Sequence, residues 1–221
     1  MTPSTAGFDR LAPAYRALEF LAFGRDLERA RFCLVPHLAG RSRILVLGEG
    51  DGRFLARLVE ADPQAEIHCI DSSPAMLVLA SARASGAGAG SRVTFEQADV
   101  LTEALGSRKY DAVATLFFLD CFTPGQVGAI ASKVRPSLAD GARWVFADFA
   151  LPPRGILRWR ARAWLRILYL FFRWGTALAA KSLPPSEEIL VESGFRSSMV
   201  REFQGGLVRS VVFDLPRNGP S

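Results

Sequence analysis

Ile44-Leu45-Val46-Leu47-Gly48-Glu49-Gly50-Asp51-Gly52 is the stretch that decides the fold. An apolar, β-branched run leads straight into a loop with glycine at every second position. Phe54, Leu55, Leu58 and Val59 then recur at the spacing of one helix face. A short buried strand, a tight glycine turn and a helix N-terminus form the usual cradle for a nucleotide-like ligand in an open α/β sheet. A dinucleotide fingerprint would need its third glycine at position 53, and that position is Arg53. The pattern is therefore G-x-G-x-G. Two residues of the loop, Glu49 and Asp51, are acidic. A loop wrapped around a pyrophosphate avoids carboxylates because like charges repel at close range. A loop facing a cationic ligand accepts them, and this predicts an acidic rim around a positively charged guest.

Outward from this stretch, strands and helices alternate. Residues 7–38 read as helical with Pro13 interrupting, and 25–38 form a second amphipathic run ending near Gly40. Strand patterns fall at 43–47, 66–70, 92–96, 110–118 and 143–149. The run from Val113 to Leu119 is almost unbroken in apolarity, as in a strand covered on both faces. Asp62-Pro63 stops the helix after the glycine loop. Ser72 or Ser73 is placed to cap the next helix, with Pro74 in its first turn. Residues 85–91 read as a loop of small residues, and 124–139 as a helix with Pro136 near its end. Such alternation implies a parallel sheet with right-handed crossovers. The end breaks the rhythm: after a helix at 186–193, two strand-like runs at 197–204 and 207–215 are separated by Gly205-Gly206, a hairpin signal.

Several motifs resemble those of class I S-adenosylmethionine-dependent methyltransferases, most of all the ubiquinone/menaquinone-biosynthesis type. Phe8-Asp9-Arg10-Leu11-Ala12-Pro13-Ala14-Tyr15 resembles the element that folds over the cofactor in that family, and Leu47 through Gly52 its first motif. Ile70-Asp71 with Ser72-Ser73-Pro74-Ala75-Met76-Leu77 resembles the acidic end of strand 2 and the helix after it. Gln97-Ala98-Asp99-Val100 resembles the adenine-contact motif, and Val134 through Ala142 the approach to strand 5. The resemblance covers residues 7–150 and the final hairpin. It implies an α/β, Rossmann-like sheet of seven strands, mostly parallel, with a C-terminal antiparallel hairpin, helices on both faces and a helical cap after strand 5. It implies a single domain over 1–221, with an N-terminal helical lid at 1–40 and a cap insertion at 150–185. S-adenosylmethionine, whose methionine end carries a sulfonium and an ammonium, is the implied cofactor and S-adenosylhomocysteine its product. The residues expected to hold it are Gly48, Glu49, Gly50, Gly52, Asp71, Ser72, Met76, Asp99, Val100 and Leu116, with Asp71 accepting the ribose hydroxyls and Asp99 meeting the adenine. Val46 stands where the family often has an acidic residue, two before the first glycine.

For chemistry, Asp120 lies at the carboxyl end of strand 4, where an open sheet presents its ligand crevice. It is the candidate base, with Tyr15 as a residue closing over the methionine end or reaching the acceptor. Phe117, Phe118, Phe122, Trp159, Trp164 and Phe172 are expected to wall a pocket for a small apolar or aromatic acceptor of quinone, phenol or natural-product type, methylated on oxygen or carbon. Asp148 ends strand 5 in the same crevice, but Phe149 follows it where metal-dependent relatives need a third oxygen ligand, so no metal is expected. His37 precedes strand 1 and His68 falls inside strand 2, and both read as structural. Cys33, Cys69 and Cys121 show no metal-type spacing and read as free thiols.

The chain of 221 residues carries a net charge of +5. Residues 149–186 hold seven basic side chains and no acidic one, which leaves 20 basic and 22 acidic elsewhere. The basic character is thus local, not a nucleic-acid footprint. Between 154 and 174, Arg154, Arg158, Arg162 and Arg166 recur every fourth residue while Leu157, Ala161, Trp164, Leu165, Leu168, Phe171 and Phe172 form an apolar stripe. Such a helix either packs on its own domain with a solvated arginine face, or meets an anionic membrane or an acidic substrate group. Its longest apolar stretch, Ile167 to Phe172, is too short to span a bilayer. With no basic start and apolar run at the N-terminus, a cytoplasmic protein is expected, membrane-peripheral if the arginine-rich helix meets a bilayer. Two alternatives stand beside methyl transfer: a nicotinamide-dependent oxidoreductase, and a non-catalytic cofactor-binding module at a membrane surface.

Overall fold

The computed structural model describes residues 25–106, 108–152 and 183–217. Tyr15, Trp159, Trp164, Phe172 and the arginine-rich segment 154–174 lie outside these residues, as do most of the expected lid and cap.

A seven-stranded sheet runs in the order β3-β2-β1-β4-β5-β7-β6. Its strands are β1 (Arg43–Leu47), β2 (Glu66–Asp71), β3 (Val93–Gln97), β4 (Tyr110–Leu116), β5 (Leu138–Phe149), β6 (Arg196–Phe203) and β7 (Val208–Asp214). The first five are mutually parallel, and β7 runs antiparallel to both β5 and β6. The helices are α1 (Asp26–Phe32), α2 (Arg53–Ala61), α3 (Pro74–Gly86), α4 (Pro124–Val134) and α5 (Ser186–Glu192). The expected mostly parallel sheet with a terminal antiparallel pair is the one found. The second strand of that pair is the inner one, and β6 is the exposed edge.

Strand alternation divides the core between two faces. Ile44 and Val46 of β1 pack with Phe54, Leu55 and Leu58 of α2 and with Ala80 and Ala84 of α3. Leu45 and Leu47 face the other way, toward Val127, Ile130 and Val134 of α4 and toward Trp144 and Phe213. The buried Trp144 indole N–H donates to Thr115 Oγ1 at 2.8 Å, so no donor is left orphaned there.

Three boundaries depart from the sequence pattern, each for a local reason. β4 ends at Leu116 rather than 118 because Phe117 takes a positive φ of 55°. α4 stops at Val134 rather than 139 because Pro136 has no N–H to continue the ladder, and a 3-10 turn over Arg135–Ser137 follows. β5 begins at Leu138, five residues early, with Tyr110 pairing Leu138 and Ala112 pairing Arg143. The extra residues bulge around Gly141, whose φ is +72°.

Candidate active site

The glycine turn is shaped by what surrounds it. Gly48, Gly50 and Gly52 all have positive φ, at 64°, 70° and 87°. A Cβ at Gly48 would overlap the Phe118 ring, and one at Gly52 would lie 2.5 Å from the Cα of Ala80 on α3. Gly50 is different: among the described residues nothing lies within 4 Å of where its Cβ would be. Two glycines permit close packing of the turn, and the third faces open space.

Asp71, at the carboxyl end of β2, lies beside that space. Its Oδ2 accepts from the Gly50 N–H at 3.4 Å and its Oδ1 from the Ser73 N–H at 2.9 Å. Ser73, not Ser72, caps α3, accepting from the Met76 N–H at 3.2 Å, and Ser72 is exposed. Farther along the same edge, Asp99 Oδ1 accepts from the Leu101 N–H at 2.9 Å, and Val100 is buried. Lys133, reaching over from α4, donates to the carbonyls of Val100 at 2.8 Å, Leu101 at 2.7 Å and Glu103 at 3.0 Å. This clamp was not foreseen from the sequence, because nothing local to either segment signals a partner some thirty residues away.

The acidic rim expected from the sequence is not what the fold builds. Asp51 turns away from the open space to Arg83 Nη1 at 2.6 Å and Arg53 Nε at 3.1 Å, and these cations hold its carboxyl below the usual range. Arg53 also pairs with Glu28 of α1 at 2.9 Å. Glu49 folds back instead of forward: its Oε1 accepts from the Leu55 N–H in the first turn of α2 at 2.9 Å. Burial pushes its carboxyl up to about 8. The helix N-terminus that would grip a diphosphate is thus filled by the protein's own side chain. The discrimination against a pyrophosphate survives, but it comes from occupancy of the anion site rather than from a charged rim.

At the carboxyl ends of β4 and β5 the two aspartates meet. Asp148 is buried at 2% exposure. Its Oδ2 accepts from the Asp120 N–H at 3.0 Å and its Oδ1 from the Phe149 N–H at 2.9 Å. Burial raises both, Asp120 to about 6 and Asp148 well above the ordinary carboxylate range, the latter also because the neighbouring carboxylate repels a second charge. Both line a cavity of about 700 Å³, along with Phe146, Phe149, Leu151, Phe213 and residues of α5.

Of the aromatic residues expected to wall an acceptor pocket, Phe117, Phe118 and Phe122 fall within the described residues. Phe117 packs at a tilt against Phe149, with the Arg31 guanidinium 4.6 Å from its ring centre. Phe118 and Phe122 meet edge to face at 5.0 Å on the α4 side of the sheet. None of the three lines the cavity; Phe146, Phe149 and Phe213, which the sequence reading passed over, do. His68 is held by Tyr110 at 2.6 Å and Glu96 at 2.9 Å, well inside the sheet, as its structural reading requires. Among the described residues no three His, Cys, Asp or Glu gather as a metal site, and no helix is long and apolar enough to cross a membrane.

A Rossmann-like sheet with a reversed seventh strand, and a glycine turn facing an aspartate at the end of β2, define the class I methyltransferase architecture. The comparisons agree. The family described as "Methyltransferase domain" matches residues 45–144. The chain is 34% identical over 150 residues to a demethylmenaquinone methyltransferase of Thermus thermophilus, covering 67% of this chain and 66% of that one. It is 30% identical over 218 residues to a ubiquinone/menaquinone biosynthesis C-methyltransferase of Syntrophotalea carbinolica, covering 91% and 89%. In structure it resembles an O-methyltransferase family protein from Burkholderia thailandensis, with a TM-score of 0.73 at 16% identity over 98% of this chain and 65% of that one. The chain belongs to the class I S-adenosylmethionine-dependent methyltransferases.

Proposed function

We propose that this protein transfers a methyl group from S-adenosylmethionine to a small apolar or aromatic acceptor of the phenol or quinol kind, on oxygen or carbon. The observation that carries the reading is a juxtaposition. The glycine turn with Asp71 lies at the carboxyl ends of β1 and β2, and the mostly apolar cavity with Asp120 lies at those of β4 and β5. The two sites share one sheet edge. The quinone-pathway names of the Thermus and Syntrophotalea relatives support a reduced quinone as the first acceptor to try.

The residues present fit the donor. Gly50 leaves room for a ligand against the backbone. Asp71 has a carboxylate at the position for paired ribose hydroxyls, and its bonds to the Gly50 and Ser73 N–H groups fix its orientation. Leu116, buried at the end of β4, and Met76, in the first turn of α3, flank the same crevice. Asp99 and Val100 stand on the loop held by Lys133, where an adenine would lie. Glu49 supports the turn from behind, as the cap of α2. When bound, the donor supplies an electrophilic methyl carbon on a sulfonium, displaced in line with charge dispersing as the bond forms. A dry, well-positioned site therefore does much of the work. Phe146, Phe149 and Phe213 exclude water from the acceptor, and Asp120 takes its proton. Residues 1–40 and 150–185 are read as a lid and cap on this single domain.

The test is turnover. Purified protein with S-adenosylmethionine and a panel of a short-chain demethylmenaquinol, a catechol and a simple phenol is expected to form S-adenosylhomocysteine with at least one acceptor. A panel that yields none, on protein shown by calorimetry not to bind S-adenosylhomocysteine, contradicts the reading.

A further inference from the structure

Two carboxyl groups held together away from bulk water do not both ionise, because like charges repel strongly there. Asp120 and Asp148 are brought together on the wall of one cavity, where the Asp120 N–H donates to Asp148 Oδ2 at 3.0 Å. Asp148 is the more deeply buried of the two, with one oxygen on the Phe149 N–H and the other on that of Asp120. Asp120 is partly accessible from the cavity and also receives the Cys121 thiol at 3.6 Å. The deeper group keeps the proton, since an isolated buried charge is the costlier one. The remaining charged groups on the cavity wall are turned elsewhere or lie at its mouth. Arg209 of β7 pairs with Glu187 at 3.2 Å and more loosely with Glu202 at 3.9 Å, and Glu188 and Glu192 stand on α5. Neither a histidine nor an unshared arginine on the described wall replaces the pair.

We infer that Asp120 and Asp148 act as a one-proton pair, in which protonated Asp148 is the positioning residue that orients Asp120 to take the acceptor's proton during methyl transfer. The inference rests on the proposed function and names the device within it. The acceptor's O–H bond breaks toward Asp120, whose carboxylate gains that proton. The acceptor keeps the electron pair of that bond and forms the new bond to the methyl carbon, whose bond to the donor's sulfur breaks with its pair going to sulfur, so that the thioether S-adenosylhomocysteine leaves. Asp120, now neutral beside neutral Asp148, returns the proton to water at the cavity mouth. The pair thus passes from one proton to two and back. Two like charges side by side never arise, which is the condition for using a carboxylate base in so dry a place.

The experiment has two readouts on wild type, Asp120→Asn and Asp148→Asn. The first is the infrared band of a protonated carboxyl group at pH 7, which needs no substrate. With Glu49 replaced by Gln throughout, since that carboxyl is also protonated at pH 7, the band is expected when Asp148 is present and lost in Asp148→Asn. The second is the pH profile of turnover with the short-chain demethylmenaquinol or the catechol. Wild type is expected to lose activity on acidification through about pH 6. Asp120→Asn should fall about a hundredfold. Asp148→Asn should fall about tenfold in kcat with its acid limb moved to higher pH, because an amide steadies the ionised Asp120 carboxylate less than the protonated Asp148 carboxyl does. S-adenosylhomocysteine binding by calorimetry should change less than twofold in both variants. A missing band, an unmoved acid limb in Asp148→Asn, or cofactor affinity lost along with activity overturns the inference. If the band behaves as expected but wild type turns over no acceptor, it is the proposed function that has failed, and the catalytic role of the pair with it.

Discussion

Gly48 has the least freedom of any residue in the site. Its φ of +64° is strained for any side chain, and a methyl group would collide with Phe118. Gly48→Ala should cost roughly 2–4 kcal/mol of stability by chemical denaturation. Asp71 is the opposite case, a residue whose replacement spares the fold. Asp71→Asn keeps an acceptor for one backbone N–H but loses the charge offered to a ribose. S-adenosylhomocysteine affinity should fall about ten- to a hundredfold by calorimetry, with the melting temperature nearly unchanged. An unchanged affinity would move the ribose site elsewhere. These two residues were readable from sequence because their neighbours are local: the turn follows its strand, and Asp71 ends the next one. Glu49 and Asp51 were misread for the converse reason. Their partners are the first-turn amide of Leu55 and a cation, Arg83, on a different helix, and nothing in the loop itself reveals either.

At the level of elements, the doubly covered strands β1 and β4 were legible because both faces are apolar, and so was the closing hairpin. The boundaries that slipped did so where one backbone torsion outweighs composition. Phe117 has the chemistry of a strand residue and the φ of a turn, and Asp140-Gly141 looks like a loop yet lies within β5 as a bulge. The loop after β3 owes its position to α4. Lys133 spends its ammonium on three carbonyls, so Lys133→Met should free residues 100–103. Amide exchange there should quicken, and S-adenosylhomocysteine affinity should fall about fivefold, while the acid limb of turnover set by Asp120 stays in place. Affinity equal to wild type would separate this loop from the cofactor.

Among the described residues, three carboxyl groups raised by burial, Glu49, Asp120 and Asp148, make stability fall as pH rises, while His37 and His68, lowered by burial, act the other way around pH 6. Glu49, near 8, and Asp120, near 6, hold protons that the unfolded chain has already lost above about 4–4.5, and Asp148 does the same. Above the histidine range the folded state therefore binds more protons, and stability should fall as pH rises from about 6.5 to 8, by up to about 1.4 kcal/mol per pH unit for each group titrating. Glu49→Gln keeps the acceptor for Leu55 and should flatten the decline between about pH 6.5 and 8; a decline just as steep would show that Glu49 ionises normally. That same side chain underlies the central claim, since it fills the helix end where a diphosphate would bind and leaves the turn to a ligand without one. Calorimetric titration of one protein sample with S-adenosylhomocysteine and, separately, with NADH tests this most directly. Saturable binding of the thioether and none of the dinucleotide is the expected result, and the reverse pattern would contradict the account.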